Sequence, residues 1–432
     1  MHFLSTNNPD LRVSLGEAVL KGLPKDNGLF MPLEIEPLSE AFWAGARHMP
    51  FAELAFSMTR QLLSGSLPDH VLRQIVTDAC TFDAPLLAVG DRYVLELFHG
   101  PTLAFKDFGA SFMARLMGHL VRHSSAELQI LVATSGDTGG AVAAGFFNVP
   151  GIQVTILYPK GKVSPVQEFQ LTTWGKNIRA IEVEGTFDDC QALVKQAFLD
   201  DELENRLMLS SANSINIARL IPQSWYYARA WQQLPADANS PVFCIPSGNY
   251  GNLTGGVFAN MLGLPVHRFI AASNANNVVP EFLKSGTYIP GPSIQTLSNA
   301  MDVGSPSNVA RLAYLWGMNA ASWNQRMHGD SVSDDRTLAT IKKVYEEHGY
   351  ALDPHSAVGW AVMDELIESW TGHPGILLET AHPAKFPEVM RHALGSATPR
   401  SETLEALTEL QSDKTRMAAD FGVFKSFLLN RL

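Results

Sequence analysis

The chain has 432 residues, 46% hydrophobic and 17% charged, which is ample material for more than one packed core and excludes a disordered chain. With 32 Lys and Arg against 43 Asp and Glu, the net charge of −11 argues against nucleic acid or an anionic membrane as the main partner. Cys80, Cys190 and Cys244 are widely spaced, with no CxxC pair, no secretory signal opens the sequence and no apolar run approaches a membrane span, so a cytoplasmic protein without disulfides or a metal site is expected.

Residues 51–63 and 70–80 carry apolar side chains at three- and four-residue spacing, which predicts helices and makes residues 1–90 a mainly helical N-terminal domain. Residues 128–133 read as an aliphatic strand running into Thr134-Ser135-Gly136-Asp137-Thr138-Gly139-Gly140, with a small-residue helix over 141–147. The order then repeats: strand 152–158, helix 164–173, strand 178–183, helix 187–198, helix 215–232, strand 241–245, helix 252–262 and strand 266–272. A further apolar strand at 376–378 leads to Thr380. Strands that are aliphatic on both faces and alternate with helices predict an open α/β architecture built on parallel sheets. The catalytic region is expected over 91–390, with a smaller subdomain at about 100–230 and a larger one at about 240–390. The two should be discontinuous, and residues 391–432 are expected to form a helical C-terminal segment.

In open α/β sheets ligands gather at the carboxyl ends of strands. The loop from Ser135 to Gly140 has small residues that let a ligand approach the backbone, and the next helix aims its free amides at the gap. Asp137 and Thr138 fit a helix-capping role equally well, and no Gly-Lys-Ser/Thr follows to make a nucleotide-binding P-loop. In Pro246-Ser247-Gly248-Asn249-Tyr250-Gly251-Asn252 the glycines allow amides to converge and the asparagines add donors, a cup suited to a phosphate without a basic residue. A plain strand-to-helix turn is the alternative. Lys106, between Phe105 and Phe108, has apolar surroundings that disfavour an ammonium, the condition for a nucleophilic amine; a lysine snorkelling to water from a helix start has the same local sequence.

His355, His373 and His382 lack metal-ligand spacing and read as loop or core histidines. Trp225, Tyr226 and Tyr227 read as helix packing, and Asp188 and Asp189 as favourable charges at a helix start. Ser247 lacks the Gly-x-Ser-x-Gly context of a serine hydrolase.

Phe98-His99-Gly100-Pro101-Thr102-Leu103-Ala104-Phe105-Lys106-Asp107, the loop from Thr134 to Gly139 and the loop from Ser247 to Asn252 together resemble the tryptophan-synthase-like, fold type II pyridoxal-phosphate enzymes, and most closely the threonine synthases. Four more stretches extend the resemblance over nearly the whole chain: residues 7–32 with Phe30-Met31-Pro32; Asn213-Ser214-Ile215-Asn216 with Arg219; residues 297–303; and Thr380-Ala381-His382-Pro383-Ala384-Lys385-Phe386. The resemblance implies that Lys106 holds pyridoxal 5'-phosphate as a Schiff base and acts as general acid and base. It further implies that Gly248, Asn249, Tyr250, Gly251 and Asn252 hold the cofactor phosphate, and that Thr380 faces the pyridine nitrogen. Thr134, Ser135, Asp137 and Thr138 would meet the substrate carboxylate and the ring. Related enzymes often carry Asn where Asp137 stands, and an ionised Asp there would repel a phenolate. Ser214, Asn216 and Arg219, with Lys385 as a second cation, would hold a substrate phosphate. The apolar positions Ile217, Leu220 and Ile221 predict that Arg219 lies off the buried face.

The implied reaction converts O-phospho-L-homoserine and water into L-threonine and phosphate by γ-elimination and β-addition of water. The partner is then a small molecule, with no nucleic acid and no membrane, and the chain a monomer or a homodimer. The alternatives are another fold type II lyase, a threonine or serine dehydratase or a phospholyase giving 2-oxobutyrate, and a catalytically silent binding protein.

Overall fold

The computed structural model describes residues 3–63 and 65–430. Among them are the strands β1 (Phe3–Ser5), β2 (Phe30–Pro32), β3 (Leu86–Val89), β4 (Arg92–Glu96), β5 (Leu128–Ala133), β6 (Ile152–Pro159), β7 (Ile178–Glu184), β8 (Met208–Ser211), β9 (Val242–Pro246), β10 (Arg268–Ser273), β11 (Met327–Ser331), β12 (Gly375–Glu379) and β13 (Thr415–Ala418). They form three sheets. β1 and β2 pair antiparallel; a five-stranded sheet runs β13-β7-β6-β5-β8; a six-stranded sheet runs β11-β10-β9-β12-β4-β3. The five-stranded sheet is wholly parallel, and the larger one is parallel except where β3 and β4 pair antiparallel across a two-residue turn whose Gly90 has φ 62°. This is the α/β class that the alternating pattern predicts.

β9 and β12 are buried at every position, as strands sandwiched between helix layers must be. Helices Phe51–Leu62 and Asp69–Ala79 bury Leu54, Ala55, Met58 and Leu62, and Leu72, Ile75 and Val76, in the same core as Phe108, Phe112 and Trp225. β4 precedes all the strands of the smaller sheet yet joins the larger one beside β12, while β13 returns from the C-terminal tail to extend the smaller sheet at β7.

Two expectations need correction. The C-terminal tail is not only helical: Thr415–Ala418 pairs with β7, whose outer edge would otherwise lack partners, and Lys414 and Arg416 both pair with Glu182 of that strand. The helix predicted over 215–232 is broken into a turn at Ile217–Leu220, a 3-10 turn at Ile221–Ser224 and a helix at Trp225–Gln233. Pro222 cannot donate the backbone hydrogen bond that a continuous helix needs there.

The strand-to-helix junctions converge. β5 leads to helix Asp137–Phe146, β9 to helix Gly251–Met261, and β4 through residues 97–105 to helix Lys106–Val121. The segment before Lys106 is stitched to the one after β12: Phe105 N–H donates to the Thr380 carbonyl at 2.9 Å and His382 N–H to the Leu103 carbonyl at 3.0 Å. None of the described helices is long and apolar enough to cross a membrane.

Candidate active site

A cavity of about 270 Å³ lies where the carboxyl ends of the two parallel sheets meet. Lys106, Thr134, Ser135, Asp137, Thr138, Ser214 and Arg219 line it, together with Gly248, Asn249, Tyr250, Gly251, Asn252 and Thr380. Asn216 and Lys385 do not line it.

Lys106 opens its helix with its Nζ 5.0 Å from the Phe105 ring centroid, so what surface it keeps faces the cavity. Burial pushes its ammonium down to about 8; Asp137 opposes that shift, while the nearby charges of Lys385 and Arg219 add to it. The next residue, Asp107, is buried, accepts from Thr102 N–H at 2.9 Å and from Thr102 Oγ1 at 2.5 Å, and so fixes the turn that delivers the lysine.

The loop after β9 forms a cup of donors. Tyr250 takes a left-handed conformation with φ 58°, and helix Gly251–Met261 starts with no side chain capping its free amides. A Cβ on Gly248 would stand 2.6 Å from the Cα of Met301, so only glycine fits under residues 300–301. Asn249 is committed on both sides, donating to Ser214 Oγ at 2.6 Å and accepting from Ser307 N–H at 2.5 Å. Asn252 Oδ1 accepts from the hydroxyls of Tyr226 at 2.7 Å and Tyr227 at 2.8 Å, while its Nδ2, buried at the cavity wall, has no partner. The two tyrosines therefore do more than pack: burial raises both phenols well above their usual range, and as permanent donors they turn the Asn252 amide so that its NH2 is offered to a ligand.

At the loop after β5, Thr134 is the residue that organises the backbone, its Oγ1 accepting from the N–H groups of Gly136 at 3.0 Å and Gly139 at 2.9 Å. Asp137 is held instead by Gln167 Nε2 at 2.9 Å and Lys385 Nζ at 2.8 Å. Thr380 anchors through its main chain, donating from N–H to Ser356 Oγ at 3.2 Å.

Arg219 departs from the expected geometry, since it is buried rather than turned away from the core. The four-residue turn that carries it is enclosed on all sides, so an amphipathic stripe has no meaning there. Its Nη1 donates to the Ala212 carbonyl at 2.6 Å and its Nε has no partner, which leaves the guanidinium facing the cavity. Burial lowers its pKa to about 10, so it remains cationic at neutral pH. Asn213, beside it, donates from Nδ2 to the Ala133 carbonyl at 3.0 Å and leaves a buried Oδ1 unpaired. Asn216 faces the other way, its Nδ2 bonded to the carbonyls of Val19 at 2.8 Å and Ser211 at 3.1 Å, and it ties the N-terminal segment to this turn.

His355, read from the sequence as a loop or core histidine, also lines the cavity. Its Nδ1 lies 2.5 Å from Asp353 Oδ1 and its Nε2 accepts the Ala300 N–H at 3.2 Å, clamping residues 299–301 over the cup. Asp302, whose carboxyl burial pushes up to about 6, fixes the same segment through Thr296 and Asn274. A lone histidine and a lone aspartate have no spacing pattern by which the sequence reveals them. Asp188 stands at the cavity wall as well, beyond its place in the first turn of its helix.

Three family models match the chain: "Threonine synthase N terminus" over residues 2–80, "Pyridoxal-phosphate dependent enzyme" over 87–374 and "Threonine synthase, C-terminal" over 356–428. Threonine synthase of Haemophilus influenzae is 43% identical over 99% of this chain and 100% of its own length. The crystal structure of threonine synthase from Escherichia coli superposes with a TM-score of 0.93 at 40% identity, covering 100% of both chains. A threonine synthase from Brucella melitensis with bound pyridoxal phosphate gives 0.92 at 34% identity, covering 100% of this chain and 99% of that one.

Proposed function

Because the chain belongs to the threonine synthase family of pyridoxal-phosphate enzymes, we propose a role for each group in its cavity. The activity is that of a lyase in threonine biosynthesis, converting O-phospho-L-homoserine and water into L-threonine and phosphate. The donor set suits the cofactor: a half-buried amine, an uncapped helix start, a glycine that cannot carry a Cβ and an unpartnered Asn252 amide surround one cavity.

When bound, the cofactor supplies a conjugated electron sink for negative charge at the substrate Cα. Lys106 is the amine that anchors its aldehyde carbon, and when free its Nζ moves protons at Cα and Cβ of the substrate. Gly248 to Asn252 hold the cofactor phosphate through main-chain amides and Asn252 Nδ2. Thr380 offers a neutral hydroxyl to the pyridine nitrogen. Thr134 shapes the loop from which Ser135 and Thr138 meet the substrate carboxylate. Arg219, with Ser214, takes the substrate phosphate, where a desolvated guanidinium grips an oxyanion most strongly. Asn216 supports that turn from behind.

The division into an N-terminal domain at 1–90, a catalytic region at 91–390 and a tail at 391–432 is part of this reading, as is a cytoplasmic setting, supported by three unpaired cysteines. The ligand is a small molecule, and the net charge of −11 supports no role for nucleic acid. Every residue assigned except Asn216 lines one cavity of a single chain, which is compatible with a monomer or a homodimer.

The observation that carries the proposal is a half-buried lysine sharing one cavity with an uncapped helix start and a buried arginine. Lys106→Ala should abolish the visible absorbance that pyridoxal phosphate gives with the wild type, and turnover with it. Phosphate and threonine should be released in equal amounts by the wild type; 2-oxobutyrate in place of threonine would make the enzyme a phospholyase.

A further inference from the structure

One complete ion pair lies inside the molecule beside this cavity. Lys385 Nζ stands 2.8 Å from Asp137 Oδ1, and the two side chains expose 0% and 2% of their surface. Burying opposite charges costs more than their attraction returns unless further hydrogen bonds complete the pair. Here they do: Lys385 Nζ also donates to the Thr102 carbonyl at 2.7 Å, and Asp137 Oδ1 also accepts from Gln167 Nε2 at 2.9 Å. The Lys385 carbonyl in turn accepts from Ser164 Oγ at 3.1 Å, so residue 385 is fixed at both ends and its ammonium is not free for a substrate.

The placement is asymmetric. Asp137 lines the cavity together with Lys106, whereas Lys385 stands behind it. One carboxylate therefore faces two amines. Burial alone would raise the Asp137 carboxyl, but Lys385 in contact and Lys106 nearby outweigh burial and hold it well below the usual carboxylate range. An ionised Asp137 left alone would pair with Lys106 and repel an anionic oxygen on any ligand bound there.

We propose that Lys385 is a positioning residue that neutralises and fixes Asp137, so that a carboxylate can stand in the cavity without holding Lys106 as an ammonium or repelling the ring oxygen of the cofactor. The inference rests on the reading of Lys106 as the cofactor-binding lysine. Each partner biases that lysine in its own direction: Asp137 favours its ammonium and Lys385 disfavours it. Removing Lys385 should shift Lys106 upward, removing the Asp137 charge should shift it downward, and removing both should cancel.

The test uses the full-length protein and reads pH midpoints rather than turnover. Visible absorbance is titrated with pyridoxal phosphate bound, and the labelling rate of Lys106 by an amine-reactive reagent is followed by mass spectrometry without it. Lys385→Met should raise both midpoints by about one pH unit or more, the low end of what a neighbouring charge does to a titrating group. Asp137→Asn should lower them, and Asp137→Asn/Lys385→Met should return them close to wild type. A purely structural pair would change the melting temperature and leave the midpoints in place, which overturns the inference; so would a double variant that shifts by more than either single one. If Lys385→Met does not fold, Asp137→Asn and the double variant, which keeps no unpaired buried charge from this pair, still decide it by the same midpoints. A wild type that gives no visible absorbance with pyridoxal phosphate would instead remove the assignment of Lys106.

Discussion

Arg219 is the residue whose environment says most about its task. A guanidinium in the core normally spends its donors on neighbours, yet this one keeps a buried Nε unpaired and is packed so tightly that a Cβ on Gly109 would stand 2.9 Å from it. Leaving a donor unpaired costs about 1–3 kcal/mol, a cost returned when an oxyanion arrives. Arg219→Ala should therefore raise KM for O-phospho-L-homoserine by roughly 30-fold or more, the equivalent of about 2 kcal/mol for a lost charge-assisted contact. Binding of an amino acid without a phosphate, followed by its perturbation of the cofactor spectrum, should change only a few-fold. Equal losses on both ligands would mean that Arg219 supports the fold and nothing more.

At the scale of elements, the cup after β9 depends on how closely residues 300–301 approach it. Gly248→Ala puts a methyl group 2.6 Å from one backbone atom and 3.0 Å from another, neither of which can turn aside as a side chain would. Overpacking of this kind costs about 1–3 kcal/mol. Because the strain falls on the amides that converge there, it should appear as a roughly tenfold to hundredfold weaker dissociation constant for pyridoxal phosphate in an absorbance titration, with the α/β circular-dichroism signature retained. This loop and the one after β5 were legible in the sequence, since an aliphatic run that ends in Gly, Ser, Thr and Asn has few readings other than a strand delivering a ligand loop. The break at Ile221–Ser224 was legible only in Pro222, because the apolar residues Ile217, Leu220, Ile221, Trp225, Tyr226 and Tyr227 run on at helical spacing across it and read as one helix. β13 escaped for the opposite reason, being four residues long with a single buried position, so that its place comes from the open edge of β7 and not from its own composition.

Across the whole molecule, the groups that hold the site together come from segments far apart in sequence, which is why motif spacing finds the ligand-facing residues and misses their supports. Arg311, in helix Val309–Trp316, is the strongest of these supports. Fully buried, it donates to the Phe30 carbonyl of β2 from Nε at 3.2 Å and Nη2 at 3.1 Å, to the Ile215 carbonyl from Nη2 at 2.6 Å and to the Ser214 carbonyl from Nη1 at 3.1 Å. One guanidinium thus joins the N-terminal segment, the turn that carries Arg219 and the layer around the larger sheet. Burial lowers its pKa to about 9, so it stays charged at neutral pH and makes these bonds as a cation. Arg311→Met would leave three main-chain carbonyls short of a partner, and each such loss costs about 1–3 kcal/mol. Allowing for partial relaxation, a destabilisation of about 3–5 kcal/mol is expected in a urea melt. Lys at the same position should recover little of it, because an ammonium is a point donor and cannot span carbonyls that a planar fork reaches together. Since the same bonds position Ser214 and Ile215, the variant should also weaken substrate binding at temperatures where it remains folded. Loss of stability with unchanged KM would show that the Arg219 turn holds its shape without the N-terminal segment docked against it.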